Sequence, residues 1–211
     1  MPVTNNPKVL KRRLDLLEKF IDDNVYKAQL MRPFRDLKYA IGSDAHVAVI
    51  VHKQHINPID WEDIEVEMKM VPLIRKYMDM DVDYVPFTRE HLNHVAAYKW
   101  EKNPDEHIDP ALFIGTAKVN PKYFAKKLKH VFVELDKTFG RNKYKLEIGV
   151  CYISEFSQCV LVRTKDKDID VQFLLMAIRS NTGRLPKDMY FSFANNQIED
   201  PIIFEDEKPT E

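Results

Sequence analysis

The sequence predicts an α+β protein that combines a few amphipathic helices with antiparallel sheet. Apolar residues recur at helical spacing in three segments, residues 7–22, 88–100 and 120–137, whereas about ten shorter segments have the composition of strands. Because the connections between neighbouring strands are short, antiparallel pairing is favoured over parallel pairing. A repeated sequence segment further predicts that one unit of helix plus antiparallel sheet occurs twice.

The first half of the chain is expected to begin with a helix over residues 7–22. Asn6 is a good N-cap and Pro7 suits the first helical position. Residues 64–70 alternate apolar and charged side chains, which is typical of a half-buried strand, and residues 88–100 form a second helix capped by Thr88. Further strands are predicted at residues 26–31, 37–41 and 46–52.

The second half is expected to begin with a strand at residues 111–118. A helix follows from the Asn120 cap to about Lys137. The apolar stripe of this helix consists of Phe124, Leu128, Val131 and Leu135. Later strands are predicted at residues 144–152, 158–163, 170–178 and 189–193.

Composition excludes several classes of protein. The 211 residues are 45% hydrophobic and 31% charged, as in globular proteins, and no apolar run approaches the ~18 residues of a membrane helix. Five glycines, with no GxGxxG, Walker A or GxSxG pattern, argue against an enzyme built on phosphate-binding loops. Cys151 and Cys159 are too few for a disulfide framework, and the N-terminus does not resemble a secretory signal. We therefore expect a cytoplasmic protein that is not an enzyme and that needs no cofactor or metal.

The net charge is only −1, but the charges are segregated along the chain. Lys8, Lys11, Arg12 and Arg13 precede the first carboxylate, and residues 117–133 contain five lysines and a histidine without any acidic residue. The acidic residues are concentrated instead at residues 60–67, 79–83 and 199–211. Such segregation predicts one positive surface on a protein that is neutral on average.

The two basic segments align with each other without gaps. Residues 6–14 (NPKVLKRRL) match residues 120–128 (NPKYFAKKL) at the cap, the proline, the first lysine, the paired bases and the last leucine. The corresponding i, i+4 pairs are Lys8 with Arg12 and Lys122 with Lys126. The repeat favours a duplicated unit that contributes two basic helices to one surface.

Several segments resemble the sliding clamps of DNA polymerases. Residues 42–49 (GSDAHVAV) are similar to the ATDGHRLAV-like strand–turn–strand of bacterial clamps, and Arg32-Pro33 resembles a strand entry of clamp-related proteins. Residues 119–124, followed by Leu128, resemble the FNAKYL helix of the last clamp domain. Residues 173–179 (FLLMAIR) resemble its closing LLMPVR strand.

The resemblance is uneven along the chain. Order and spacing agree over residues 113–180, more loosely over residues 1–55, and hardly at all over residues 56–110. Ala45 occupies a position where the family usually has glycine, and Ala177 one where it has proline.

The resemblance implies a processivity factor whose basic helices line a ring around duplex DNA, with DNA polymerase and a clamp loader as partners. It also implies an origin in a phage or mobile element. Seven residues are expected to contact phosphates: Lys8, Arg12, Arg13, Lys122, Lys126, Lys127 and Lys129. By position, Leu174 and Met176 would border the pocket that binds polymerase peptides.

The predicted organisation has one clamp-like module at residues 1–110 and a second at residues 111–182, followed by an acidic C-terminal extension at residues 183–211. The chain length is similar to that of phage and eukaryotic-type clamps, in which two domains per chain form a trimer, so a homotrimer is favoured. If residues 1–180 were one enlarged domain, a closed ring would need six copies or would not form.

Three alternatives remain open. Glu67-Met68-Lys69, with Asp60 upstream, faintly resembles a PD-(D/E)xK nuclease site, although solvent exposure of one strand face explains the pattern more simply. Histidines near Asp44, and the pair His91 and His94, have weak metal-ligand spacing that favours packing or surface roles. The third alternative is a clamp-related interaction or regulatory protein that forms no ring, and self-association would separate it from a clamp.

Overall fold

The computed structural model describes residues 7–22, 30–65, 70–99, 111–154, 157–166, 169–178 and 188–201, with the side chains of residues 7–11 and 153–154 left out of the description. Within these ranges the chain forms five α-helices and eleven strands. All seven strands of the larger sheet pair antiparallel. The predicted α+β class with antiparallel sheet is confirmed.

The helices are α1 Pro7–Glu18, α2 Pro58–Asp63, α3 Val71–Met78, α4 Arg89–Ala97 and α5 Pro121–Phe139. A 3-10 turn, Lys53–His55, precedes α2. The first six strands are β1 Phe34–Arg35, β2 Tyr39–Ser43, β3 Val47–His52, β4 Val85–Phe87, β5 Leu112–Ile114 and β6 Ala117–Val119. The remaining strands are β7 Leu146–Ser154, β8 Ser157–Thr164, β9 Val171–Met176, β10 Met189–Ser192 and β11 Gln197–Glu199.

The helix starts follow the capping residues in the sequence. Asn120 accepts a hydrogen bond from the Tyr123 amide at 2.9 Å, and Thr88 forms a capping box with His91. Neither α2 nor α3 was expected from the sequence. Within the strand predicted at residues 64–70, Glu65 forms a bridge with Phe34, and residues 66–69 lie outside the described part of the chain, so this prediction remains untested there.

The sequence repeat corresponds to a repeat in the topology. Along the chain, α1 is followed by the strands β1 to β3, and α5 is followed by the strands β7 to β9. In the larger sheet, whose order is β1-β2-β3-β9-β8-β7-β4, these two sets of three strands lie side by side. The last strands of the two units, β3 and β9, pair antiparallel at the middle of the sheet, with Val49 opposite Phe173.

This pairing joins the two predicted modules. Because β9 of residues 111–182 is a direct neighbour of β3 of residues 1–110, both belong to one sheet and share one apolar core. The predicted extension also takes part in the fold, since β10 pairs parallel with β5 and antiparallel with β11 in a four-stranded sheet. Met189 and Phe191 of β10 are buried in the shared core, and the burial of these apolar side chains stabilises the packing of β10 in the fold.

The large sheet is covered on both faces. Along β9, Phe173 and Leu175 belong to the core that includes residues of α1, α4 and α5, whereas Leu174 belongs to a second core on the opposite face. This second core includes Ile74 and Tyr77 of α3. The helices α1 and α5 therefore pack on one side of the sheet and α3 on the other.

Gly42 lets α1 approach the sheet closely. A Cβ atom at Gly42 would lie 2.2 Å from the carbonyl oxygen of Leu17, so the backbones of β2 and α1 meet where a side chain would stand. The placement of α1 thus depends on one glycine of β2.

None of the helices in the described ranges has both the length and the apolar composition needed to cross a membrane.

Candidate nucleic-acid interface

The two basic helices α1 and α5 pack side by side in antiparallel orientation. The Arg12 guanidinium, at the middle of α1, donates a hydrogen bond to the carbonyl of Lys137 in the last turn of α5. Just beyond the end of α1, the carbonyl of Lys19 accepts a hydrogen bond from the Lys127 ammonium at 3.3 Å. Both helices of the sequence repeat therefore lie on the same face of the protein.

The solvent-facing side of α5 carries a row of lysines. Lys122, Lys126 and Lys129, here called the lysine row, are all exposed. At about 100° per residue, these three side chains point within about 60° of one another, on the side of α5 opposite its buried residues. Lys19 is exposed where the end of α1 meets α5.

The pKa of His130 indicates a positive potential at this surface. Burial lowers the pKa of the imidazole, and the charges of four lysines lower it further: Lys19, Lys127, Lys126 and Lys129. Two lysines of the row, Lys126 and Lys129, therefore lie near one point together with Lys19, and like charges arranged in this way attract polyanions.

Arg13 does not contribute to this surface, contrary to the sequence-based expectation. Its side chain is 0% exposed, and its guanidinium lies 5.4 Å from the centre of the Phe139 ring. Burial lowers the pKa of Arg13 to about 10, while the charge of Glu134 acts in the opposite direction. Consecutive helical residues point about 100° apart, so one of two adjacent bases faces the neighbouring helix.

Lys127 also points inward. Its ammonium pairs with the Asp44 carboxylate at 2.9 Å, and the side chains of Lys127 and Asp44 are only 12% and 13% exposed. The Tyr123 hydroxyl donates a hydrogen bond to the same carboxylate. Burial acts to raise the pKa of Asp44, but the hydrogen bonds from Tyr123 and Lys127 outweigh it and hold the pKa below its usual value. Lys127 and Tyr123 thus fasten the β2–β3 turn to α5.

Of the two other α1 residues expected to contact phosphates, the structure describes the side chain of Arg12 but not that of Lys8. Arg12 is half-exposed and bonded to α5, where a cation near the helix C-terminus is favourable. Lys8 lies in α1, but its side chain is outside the description. Three of the seven expected residues are therefore exposed together, and the three are the lysine row.

The predicted peptide pocket is not open at Leu174. This side chain is 4% exposed and belongs to the core beneath α3. Met176 is half-buried and packs against the same core. The reason is α3, which covers this face of the sheet and which the sequence reading did not predict.

A cavity of about 400 Å³ lies elsewhere, between β4, the start of α4, the end of α5 and β7. Phe87, Phe132 and Leu146 supply apolar walls, and Arg89, Lys145 and Lys165 line it with positive charge. No sequence motif marked these residues, because they come from four separate elements.

The other predicted candidates form no described site. Within the described ranges, no three histidine, cysteine, aspartate or glutamate residues are grouped so that they could hold a metal ion. Residues 67–69 of the nuclease-like tripeptide lie outside the described part of the chain. Cys151 and Cys159 are free, buried and directly opposite each other on β7 and β8.

Comparison with known proteins finds no family model, no curated protein and no solved structure that matches the chain. The functional interpretation therefore depends on the surface of α5 and on the residues around it.

Proposed function

We propose that the protein binds duplex DNA without sequence specificity, as a clamp-like processivity factor. The observation that carries this proposal is the lysine row on α5, three exposed lysines on one side of the helix with Lys19 exposed where α1 meets it. Phosphate contacts give affinity that is independent of sequence and that permits sliding. The net charge of −1 restricts this attraction to the basic face.

The proposed contact set is smaller than the sequence alone suggested. It consists of Lys122, Lys126 and Lys129, with Lys19 beside them. Arg13 is not part of the contact set because it is buried, and Lys127 is not part of it because its ammonium pairs with the Asp44 carboxylate.

The test replaces the lysine row with alanine in the triple variant K122A/K126A/K129A. If each lysine contacts one phosphate, the slope of log K against log salt concentration becomes about 0.9 less negative per lost contact, or roughly 2–3 in total. Fluorescence anisotropy with a duplex oligonucleotide at several salt concentrations measures this slope. The matched control is K38A/K76A/K143A, which removes three exposed lysines that lie outside α5.

We expect the control variant to keep the wild-type slope. If the lysine-row variant kept it as well, the α5 surface would not be the DNA-binding face and the proposal would fail. A parallel loss of slope in both variants would indicate diffuse charge attraction, which also contradicts a defined contact set.

The number of copies in a ring follows from how many helix pairs each chain supplies. Because α1 and α5 form one pair on one sheet, we propose a ring of six copies in place of the trimer expected from two separate modules, and if six copies do not assemble no ring forms. DNA polymerase and a clamp loader would be its partners.

The non-ring regulatory protein is the second candidate, and the sheet edges favour it. β1 has only two residues and β4 contains Pro86, which lacks an amide hydrogen. Short edges and proline oppose pairing between sheets of neighbouring copies.

A further inference from the structure

The cavity beside β4, here called the β4 cavity, has the size and lining of a binding site. Its volume of about 400 Å³ lies within the range of small-ligand sites, roughly 300–1,000 Å³. The aromatic rings of Phe87 and Phe132 and the side chain of Leu146 form its apolar wall. It is distinct from the lysine row, and nothing in the proposed DNA contact uses it.

The polar groups of the cavity are held in place. Arg89 donates hydrogen bonds to the Asp136 carboxylate at 2.6 Å and to the Tyr144 hydroxyl at 3.1 Å. The guanidinium also lies 4.8 Å from the centre of the Phe132 ring. A fixed cation therefore stands directly against the apolar wall.

Positive charge exceeds negative charge around the cavity. Glu147 is the carboxylate that lines it, and Glu147 pairs with Lys165 at 3.3 Å and with Arg163 at 3.4 Å. Lys145 is exposed at the rim. Four cations (Arg89, Lys145, Arg163 and Lys165) against two carboxylates (Asp136 and Glu147) leave a local charge of +2. The complementary ligand is an apolar side chain followed by carboxylates.

We propose that the β4 cavity binds the C-terminal sequence of the same chain, residues 202–207. This sequence is Ile-Ile-Phe-Glu-Asp-Glu, so three large apolar residues precede three carboxylates. The apolar side chains of this sequence pack against the wall formed by Phe87, Phe132 and Leu146, and its carboxylates lie near Lys145 and Lys165.

The described chain ends close enough for this contact within one molecule. The Asp200 carboxylate lies 2.7 Å from the imidazole Nε2 of His94 on α4, and Pro201 is buried. His94 and Arg89 are five residues apart on the same helix, about 7.5 Å along its axis. Phe204 is four residues beyond Asp200 and can reach about 13 Å.

The test measures binding of a fluorescent synthetic peptide, residues 200–207 (DPIIFEDE), to the full chain. In the wild type the tethered sequence competes at millimolar effective concentration, so the peptide binds weakly. In the variant I203D/F204D the competitor is lost, and we expect at least a tenfold gain in peptide affinity. The charge-reversed variant E205K/D206K/E207K should give the same gain in peptide affinity, and it leaves the apolar residues of the tail unchanged.

Further variants locate the site. A peptide with Phe204→Ala should bind the I203D/F204D chain at least tenfold more weakly, which requires no change to the protein. Adding K145E/K165E to that chain should weaken peptide binding by a similar factor, whereas K76E, an exposed lysine on α3, should not.

Two results would overturn the proposal. If wild type and both tail variants bound the peptide equally, the cavity would be free in the chain and would serve another partner. If none of them bound it, the cavity would not be a peptide site. Both results are independent of the DNA-binding slope, so this inference can fail while the proposed function stands.

Discussion

Ala45 has a backbone conformation that suits glycine better than alanine. Its φ is +76°, in the left-handed region, where a Cβ atom costs roughly 1–2 kcal/mol. Hydrogen bonds around the turn keep it there: the Asp44 carboxylate accepts from the amides of His46 and Val47 at 3.1 Å. The positive φ is the physical reason why glycine suits this position better than alanine.

We expect Ala45→Gly to raise the free energy of unfolding by about 1 kcal/mol, because it removes the strain without removing a buried contact. Urea denaturation measures this change. Ala96→Gly in the exposed face of α4 is the control, and it should destabilise the protein by up to about 1 kcal/mol. A destabilised Ala45→Gly variant would show that the turn is unstrained.

His55 is a buried histidine next to the buried Arg13. It is 3% exposed, and burial, together with the charges of Arg13 and His52, lowers its pKa to about 4. The folded protein therefore favours the neutral imidazole, whereas the unfolded chain binds a proton near pH 6.5.

This difference predicts that stability decreases as the pH falls from 6.5 towards 4. Because the unfolded state binds more protons in this range, His55 contributes a loss that grows to about 3 kcal/mol near pH 4 and becomes small above about pH 7. Unfolding curves of wild type and His55→Phe at several pH values isolate the part of the pH dependence that is due to His55. The effects of Asp36 and Glu134 cancel in this comparison because both groups are present in both proteins. His46→Gln, at an exposed histidine, is the control and should follow the wild-type curve. Equal pH dependence in the wild type and His55→Phe would contradict the assignment.

At the scale of elements, capping and periodicity predicted where the long helices lie, but not what covers their faces. The Asn120 and Thr88 caps and the strands β7 to β9 follow the sequence closely. The i, i+4 spacing correctly put Lys122 and Lys126 on one face of α5. It could not show that Lys127 meets Asp44, because that contact joins residues far apart in the chain.

The missed helix α3 had the largest consequence for the predicted site. It is only eight residues long, so its apolar periodicity covers little more than two turns. Because Leu174 shares a buried core with Ile74 and Tyr77 of α3, a strand residue that looked like part of an open pocket is a core residue.

The contact between α1 and β2 can be tested at Gly42. Gly42→Ala places a Cβ atom 2.2 Å from the Leu17 carbonyl oxygen, so helix α1 must move, and we expect a loss of about 2–4 kcal/mol. Gly140→Ala is the control: its φ is +90°, but the new Cβ atom would come no closer than 3.5 Å to Lys143. That variant should lose only about 1 kcal/mol. Thermal or urea unfolding compares the free energies of unfolding of the two variants. Equal losses of stability would mean that the backbones of α1 and β2 are not in close contact at Gly42.

For the whole molecule, the duplication was visible in nine residues of sequence, but the way its halves combine was not. Pairing of β3 with β9 depends on strand order, which local patterns do not encode. In the proposed ring, the same pairing would make one helix pair the contribution of each chain.

The mass of the protein in solution tests this consequence. A ring around DNA that is built from single helix pairs requires six chains of 24.9 kDa, so light scattering without DNA should give six times the chain mass, independent of salt. A mass of three chains would mean that α1 and α5 separate in the assembly, against their packing on one core. A monomer at all concentrations would exclude the ring and leave the non-ring regulator, in which the lysine row holds DNA from one side only. Because the short β1 edge and Pro86 in β4 oppose pairing between sheets, a ring of six would have to close through other surfaces, so substitutions in β1 or β4 should leave its mass unchanged.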